Sequence, residues 1–88
     1  MIGRHADALV NSGEVHVTLG RVDQGIELIE QGIAKGGLKR AEDAKLHLGL
    51  AYLRNGNRDK AIETFKTVRG TDGSADLARL WGIRAARP

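Results

Sequence analysis

Leu48-Gly49-Leu50-Ala51-Tyr52, followed eight residues later by Ala61-Ile62-Glu63-Thr64-Phe65, is the stretch that decides the fold of this chain. Both segments place their apolar residues at helical rather than strand spacing. Around the first, the periodicity predicts a helix from about Arg40 to Arg54. Leu46, Leu50 and Leu53 form one line along it, with Leu48 and Tyr52 beside them. Glu42 and Asp43 fall in its first turn, the end of a helix that favours anions. Around the second segment, a helix is predicted from about Arg58 to Val68, with Ala61, Ile62, Phe65 and Val68 inward. Gly56 marks a tight turn between them, and so short a link makes antiparallel neighbours.

The pattern extends in both directions. Upstream, Val22, Ile26, Ile29 and Ile33 recur at spacings of 4, 3 and 4, one helical stripe from about Val22 to Lys35. Gly36-Gly37 ends it, with Lys35 in the last turn where a cation is favoured. Before Gly20, a weaker apolar side built on Ala8, Leu9, Val10 and Val17 predicts a helix from about Arg4 to Leu19. Downstream, Ser74 reads as an N-cap with Asp76 close behind. The helix it opens, about 74–87, carries Leu77, Leu80, Trp81 and Ala85 as its apolar stripe.

A shift of 36 residues lays the first pair of helices on the second. Ala8 meets Ala44, Gly13 meets Gly49, Gly20 meets Gly56, Asp23 meets Asp59, Ile26 meets Ile62 and Glu27 meets Glu63. Val10 pairs with Leu46, Val17 with Leu53, Gly25 with Ala61 and Ile29 with Phe65. A period in the mid-thirties with two helices per unit signals a helical solenoid.

Leu48-Gly49-x-x-Tyr52, the eight residues after it, and Ala61-x-x-x-Phe65 together resemble the tetratricopeptide signature. Gly56-Asn57-Arg58-Asp59-Lys60-Ala61 is similar to that family's usual turn into its second helix. The resemblance implies that Gly49 lets the two helices approach, that Ala61 fills the crossing, and that Tyr52 and Phe65 plug the gaps around it. Lys45 stands where the family often has Trp, and Val68 where it often has Ala. The first unit departs further, with Ser12, His16, Gly25 and Ile29 where the family has Leu, an aromatic residue, Ala and Phe. The implied fold is all-α: two antiparallel helix–turn–helix hairpins plus a C-terminal capping helix, in a right-handed α-α superhelix. The expected organisation is one domain over 1–88, with repeat 1 at about 6–36, repeat 2 at about 41–70 and the terminal helix at about 74–87. The text from Glu30 to Arg40 and from Gly70 to Trp81 also resembles the C-terminal end of longer bacterial members, which often look exported.

In such arrays the first helix of each hairpin lines a concave groove. The resemblance therefore implies a protein-binding groove at Val10, Glu14, Val17, Asp43, Leu46, Leu50, Leu53 and Arg54, with Asp7 and Thr18 at its edges. Leu46 and Leu50 stand where chaperone-tail readers of the family carry Lys and Asn, so a carboxylate clamp is not expected. The expected groove is apolar and needs a cover. A partner protein or peptide, missing N-terminal repeats, a second copy giving a homodimer, or the terminal helix through Leu77, Leu80 and Trp81 would each serve. The competing role is a structural end cap of a longer solenoid with no ligand of its own.

Composition narrows the chemistry. Eighty-eight residues fit one domain with a modest core. One Phe, one Tyr and one Trp leave the interior to aliphatic side chains. The absence of cysteine excludes disulfides and cysteine zinc sites. No apolar run reaches the roughly 20 residues that span a bilayer, and no membrane role is expected. The N-terminus lacks the basic-then-apolar order of a signal peptide. Compartment stays open: cytoplasmic as the chain stands, exported or periplasmic as part of a longer precursor.

The net charge of +3 is uneven. Residues 1–44 carry five Lys/Arg against seven Asp/Glu, a balance of −2, and residues 45–88 carry nine against four, a balance of +5. The basic residues scatter along three helices without interleaved aromatics, which reads as solvated helix faces and argues against nucleic-acid binding. His5, His16 and His47 lack helical metal-ligand spacing; His16 reads as a half-buried spacer, His5 and His47 as solvent-facing. Glu42-Asp43 and Glu27/Glu30 are carboxylate pairs without a cleft to split their pKa values. Gly36-Gly37-Leu38-Lys39 lacks phosphate-loop spacing. Gly70-Thr71-Asp72-Gly73-Ser74 reads as a capped inter-helix loop rather than an anion seat. No catalytic residue, metal or cofactor is expected.

Overall fold

The computed structural model of the chain describes residues 2–69 and 73–87, with side chains described from His5 onward. The connecting loop expected at Gly70, Thr71 and Asp72 lies outside the described residues. Five helices follow one another: α1 (Ile2–Thr18), α2 (Val22–Lys35), α3 (Ala41–Arg54), α4 (Arg58–Lys66) and α5 (Ser74–Ala86). The described residues contain no strand. α1 packs on α2 and α3 on α4 as two hairpins; α2 lies against α3, and α5 against α4 and α3.

The two hairpin turns have one geometry. At the first, Gly20 donates its amide to Val17 and Arg21 donates to His16 at 2.8 Å; at the second, Gly56 donates to Leu53 and Asn57 to Tyr52 at 2.8 Å. Each is the 6→1 and 5→2 pairing that closes a helix with a left-handed residue. Gly20 and Gly56 supply it at φ +88° and +78°. The 36-residue shift read from the sequence thus maps one turn onto the other, bond for bond.

Helix α2 has the expected bounds. α4 stops at Lys66, two residues earlier than expected. The Thr67 hydroxyl donates to the Thr64 carbonyl at 2.7 Å and the Arg69 guanidinium to the Lys66 carbonyl at 2.6 Å. These side chains take the last carbonyls, so another helical turn is not needed to satisfy them. Ser74 is not the N-cap expected of it. Gly73 holds that place in a left-handed conformation, and Ser74 is the first helical residue and buried.

Within the hairpins the helices meet differently. A Cβ on Gly13 would lie 2.6 Å from the Gly25 carbonyl oxygen, and one on Gly25 would lie 2.5 Å from the Gly13 carbonyl oxygen. Further along, a Cβ on Gly32 would lie 2.8 Å from the Ala6 carbonyl oxygen. α1 and α2 therefore touch backbone to backbone along a glycine seam. In the second hairpin, a Cβ on Gly49 would strike the Phe65 ring at 2.4 Å, with Ala61 fully buried close by in sequence. Phe65 occupies the space that Gly49 leaves, as the resemblance implied. The two hairpins share one core of Ile26, Ile29, Leu46, Leu48, Tyr52 and Phe65, extended by small residues that include Ala78 of α5.

Acidic side chains of the first hairpin accept hydrogen bonds from the second hairpin and from the α2–α3 link. Glu30 accepts from the Tyr52 hydroxyl at 2.5 Å, Asp23 from the Asn55 amide at 2.9 Å, and Asp7 from the Lys39 backbone amide at 3.4 Å. His47 hydrogen-bonds Glu14. Asp7 and Glu14, like Asp23 and Glu30, are seven residues apart, two turns along one helix face. Burial, reinforced by Glu30, pushes the Tyr52 hydroxyl up to about 12.

Candidate functional site

The first helices of the two hairpins, α1 and α3, flank an open cleft of about 360 Å3. Its apolar lining is Val17, Ile29, Leu50 and Ala51; its polar lining is Glu14, Thr18, His47 and Arg54. The cleft exists because the hairpins are joined mainly through α2 and α3 and are pinned across the α1 side by side chains such as Glu14 and His47. A neighbouring concavity of about 380 Å3 is lined by residues that include Asp7, Val10, Glu14 and Asp43, with Leu38 and Lys39 from the α2–α3 link.

Four of the eight expected groove residues, Glu14, Val17, Leu50 and Arg54, thus meet around one cleft. Asp43 lies at the neighbouring one and touches the first only through His47, 3.8 Å away. Leu53 is half-buried against the core and lines neither. Val10 and Leu46 are corrections. They are 7% and 4% exposed; Val10 reaches only the neighbouring concavity, and Leu46 lines neither. Leu46 belongs to the shared core instead. Of the expected apolar line Leu46–Leu50–Leu53, Leu46 lies in the core, Leu50 lines the cleft and Leu53 is half-buried against the core.

His47 is a second correction. Read as solvent-facing, it is instead half-buried, with its Nδ1 on Glu14 and near Asp43. A helix periodogram of α3 cannot show this, because the partner comes from α1, 33 residues away. His16 is half-buried and bonds the Ser12 carbonyl of its own helix at 2.7 Å; His5 is exposed. Among the described residues, no group of three or more His, Cys, Asp or Glu is placed to hold a metal ion.

The carboxylate pairs sit outside the cleft. Glu42 accepts the Arg69 backbone amide and pairs with Lys45 at 3.0 Å. The Arg69 amide, with help from Lys45, holds its carboxyl below the usual range. Its work is to tie the end of the second hairpin to the start of α3.

The terminal helix is the third correction. Leu77 and Leu80, expected to face inward, are 50% and 63% exposed. Ala85 is buried and Trp81 half-buried against the core, as their place on the stripe implied, with Trp81 under the Arg84 guanidinium, 5.6 Å from the ring centre; Ala78, outside the stripe, takes the place of the leucines. α5 does not enter the α1/α3 cleft. Its seating opens a second and larger concavity, about 600 Å3, between α4 and α5. Phe65, Val68 and Ala78 form its floor and Ile62, Gly82 and Ile83 its sides, with Lys66, Arg69 and Arg79 among its lining. This concavity was invisible in the sequence, because the residues that make it are contributed by two helices whose relative placement no periodicity encodes. No helix of the described residues is long and apolar enough to cross a membrane.

A family model described as tetratricopeptide repeat matches residues 43–71, which hold α4, the turn before it and all but the first two residues of α3. No curated protein and no solved structure matches the chain.

Proposed function

We propose, from the premise that this chain carries a tetratricopeptide repeat at residues 43–71, that it is a protein-interaction module that holds a peptide segment of a partner in the α1/α3 cleft. Tetratricopeptide repeats generally mediate protein–protein interaction and are typically non-catalytic scaffolds. The observation that carries the reading is the cleft itself. An apolar floor of Val17, Ile29 and Leu50 is ringed by an acid, an imidazole and a guanidinium that can orient a bound chain. The organisation that goes with it is one unit over 1–88, with repeats at about 6–36 and 41–70.

The end-cap role is the weaker reading. A capping element of a solenoid presents a polar outer face. α5 instead exposes Leu77, Leu80 and Ile83.

A displayed peptide library selected on the wild-type chain tests the proposal. Recovered peptides are expected to lose at least tenfold in affinity for Arg54→Glu, an exposed rim change, and for Leu50→Asp at the floor. Peptides that bind both variants as well as wild type would place recognition elsewhere and overturn the cleft.

A further inference from the structure

We infer that the His47–Glu14 pair sets the hydrogen-bond polarity of the α1/α3 cleft. At neutral pH the cleft takes a peptide segment that brings an N–H or O–H donor to His47 and a carboxylate to Arg54, and it releases that segment when His47 gains a proton. The inference rests on the peptide-binding reading of the cleft. Three observations lead there.

The first is the tautomer of His47. Its Nδ1 meets the Glu14 carboxylate, and a carboxylate only accepts hydrogen bonds. Nδ1 therefore carries the proton, and the neutral ring leaves Nε2 as a bare acceptor. The Asp43 carboxylate, 3.8 Å from the same Nδ1, favours the same form. Nε2 has no hydrogen-bond partner among the described residues, and the half-buried ring lines the cleft.

The second is what surrounds the ring. The Thr18 hydroxyl spends its one proton on the Glu14 backbone carbonyl at 3.0 Å, so it supplies no donor to a ligand. α2 adds the apolar Ile29 to the cleft and no charged group. Lys39 and Arg40 of the α2–α3 link line the neighbouring concavity, and α4 and α5 line neither. The side-chain donors left in the cleft are those of Arg54, whose guanidinium has no partner among the described residues. At neutral pH, then, His47 accepts and Arg54 donates.

The third is spacing. His47 and Arg54 lie seven residues apart on α3, two helical turns or about 10 Å along its axis. An extended peptide covers that distance in about three residues. A segment lying over Val17, Ile29 and Leu50 can bring a carboxylate to Arg54 and, about three residues away, a donor to Nε2. Covering Nε2 without a donor would leave an acceptor unsatisfied, which makes the ring selective. In acid the added proton goes to Nε2, because Nδ1 already holds one. The acceptor becomes a donor, and the donor of the ligand then faces another donor.

The test begins on the free chain. Nitrogen-15 NMR of the imidazoles at about pH 8, the top of the range in which histidine changes charge, should show His47 protonated at Nδ1. Glu14→Gln should relax this, since an amide donates as well as accepts. His16, whose Nδ1 meets the Ser12 carbonyl at 2.7 Å, should keep its Nδ1 proton in both. An Nε2–H tautomer of His47 in the wild-type chain would overturn the inference whatever the cleft binds. The second step uses histidine-free peptides from a displayed library selected on the wild-type chain at about pH 8. They are expected to be enriched in Asp or Glu, and to bind about tenfold more weakly at about pH 5.5. On His47→Gln, whose amide oxygen accepts at either pH, affinity should not change with pH. Circular dichroism checks that the variants keep their helices. Peptides that need Leu50 and Arg54 yet bind wild type equally at both pH values would overturn the inference and leave the cleft standing. A loss in acid that persists in His47→Gln would do the same, since the proton would then act elsewhere. Peptides indifferent to Leu50→Asp and Arg54→Glu would overturn the cleft and the inference with it.

Discussion

The first hairpin departs from the tetratricopeptide signature at four framework positions, and the second keeps it almost whole; yet both close with the same turn and enter the same core. They reach that result by opposite means. In the second, Gly49 makes room and Phe65 fills it. In the first, Gly13, Gly25 and Gly32 remove side chains from both helices, so the backbones meet directly. Ile29, where the second unit has Phe65, then lies almost fully buried in the core. Gly25 where the second unit has Ala61 is therefore not decay of a motif. It is the small half of a different packing solution, and it makes the two hairpins fail in different ways.

The largest effect should come from emptying the aromatic plug. Phe65→Ala removes a buried ring that no neighbour can replace, and should lower stability by roughly 3–5 kcal/mol. Urea unfolding followed by circular dichroism would show it, and a loss below about 1 kcal/mol would mean that α3 and α4 close without the plug.

Next is the addition of one methyl group to each hairpin. Gly25→Ala copies the second unit's own Ala61 into the first, yet its Cβ meets the Gly13 carbonyl oxygen, which no rotamer change can move. It should destabilise by about 3 kcal/mol, at the upper end of overpacking effects. The nearest atoms that Gly49→Ala meets belong to the Phe65 ring, a side chain rather than backbone. It should cost about 2 kcal/mol, and Phe65→Leu should offset part of it in a double-mutant cycle. Equal effects of the two glycine changes, without rescue of the second, would erase the distinction between seam and plug.

A smaller effect is expected where the hairpins are pinned together. Tyr52→Phe removes the hydrogen bond to Glu30 and should cost about 1 kcal/mol at neutral pH. The folded Tyr52 hydroxyl titrates at about 12, above its unfolded value near 10. Its raised pKa therefore stabilises the folded chain fully below pH of about 10, and this is lost as pH rises towards 12. Tyr52→Phe should flatten that alkaline limb in a stability–pH profile; an unchanged limb would remove Tyr52 as its source.

The smallest effect should carry the opposite sign. A Cβ on Gly82 would sit 3.8 Å from the Phe65 Cβ, an ordinary contact. Gly82→Ala should stabilise α5 by up to about 1 kcal/mol through helix propensity alone. Destabilisation there would show that the glycine seam extends into the third layer.

Much of this was legible residue by residue. Gly20 and Gly56 announced both turns, because only a residue free to take a left-handed conformation closes a helix that tightly. The stripe Val22, Ile26, Ile29, Ile33 fixed α2 to its observed ends. The candidate cleft was half legible. Glu14, Val17, Leu50 and Arg54 lie on the α1 and α3 faces that flank the cleft, whereas Leu46 is taken up by the shared core and Val10 packs against Gly32 of α2. His47 was misread, because its exposure depends on a glutamate one hairpin away. α5 was misread because the largest apolar side chains were taken to point inward. The surface it meets is already filled by residues such as Phe65, so alanines allow the closer approach and the leucines are left outside.

The sequence by itself determined the elements of this protein: where helices run, where they turn, that two units repeat at 36 residues, and that the second of them matches a tetratricopeptide repeat model. These are local matters, set by spacing along one chain and by the backbone freedom of a few glycines. Tertiary structure alone decided which faces were left over. Whether Leu46 is core or groove, whether His47 is free or held, and that a cation-lined concavity opens between α4 and α5 all depend on how helices distant in sequence share a fixed volume. That is a property of the packing, and no single helix carries it.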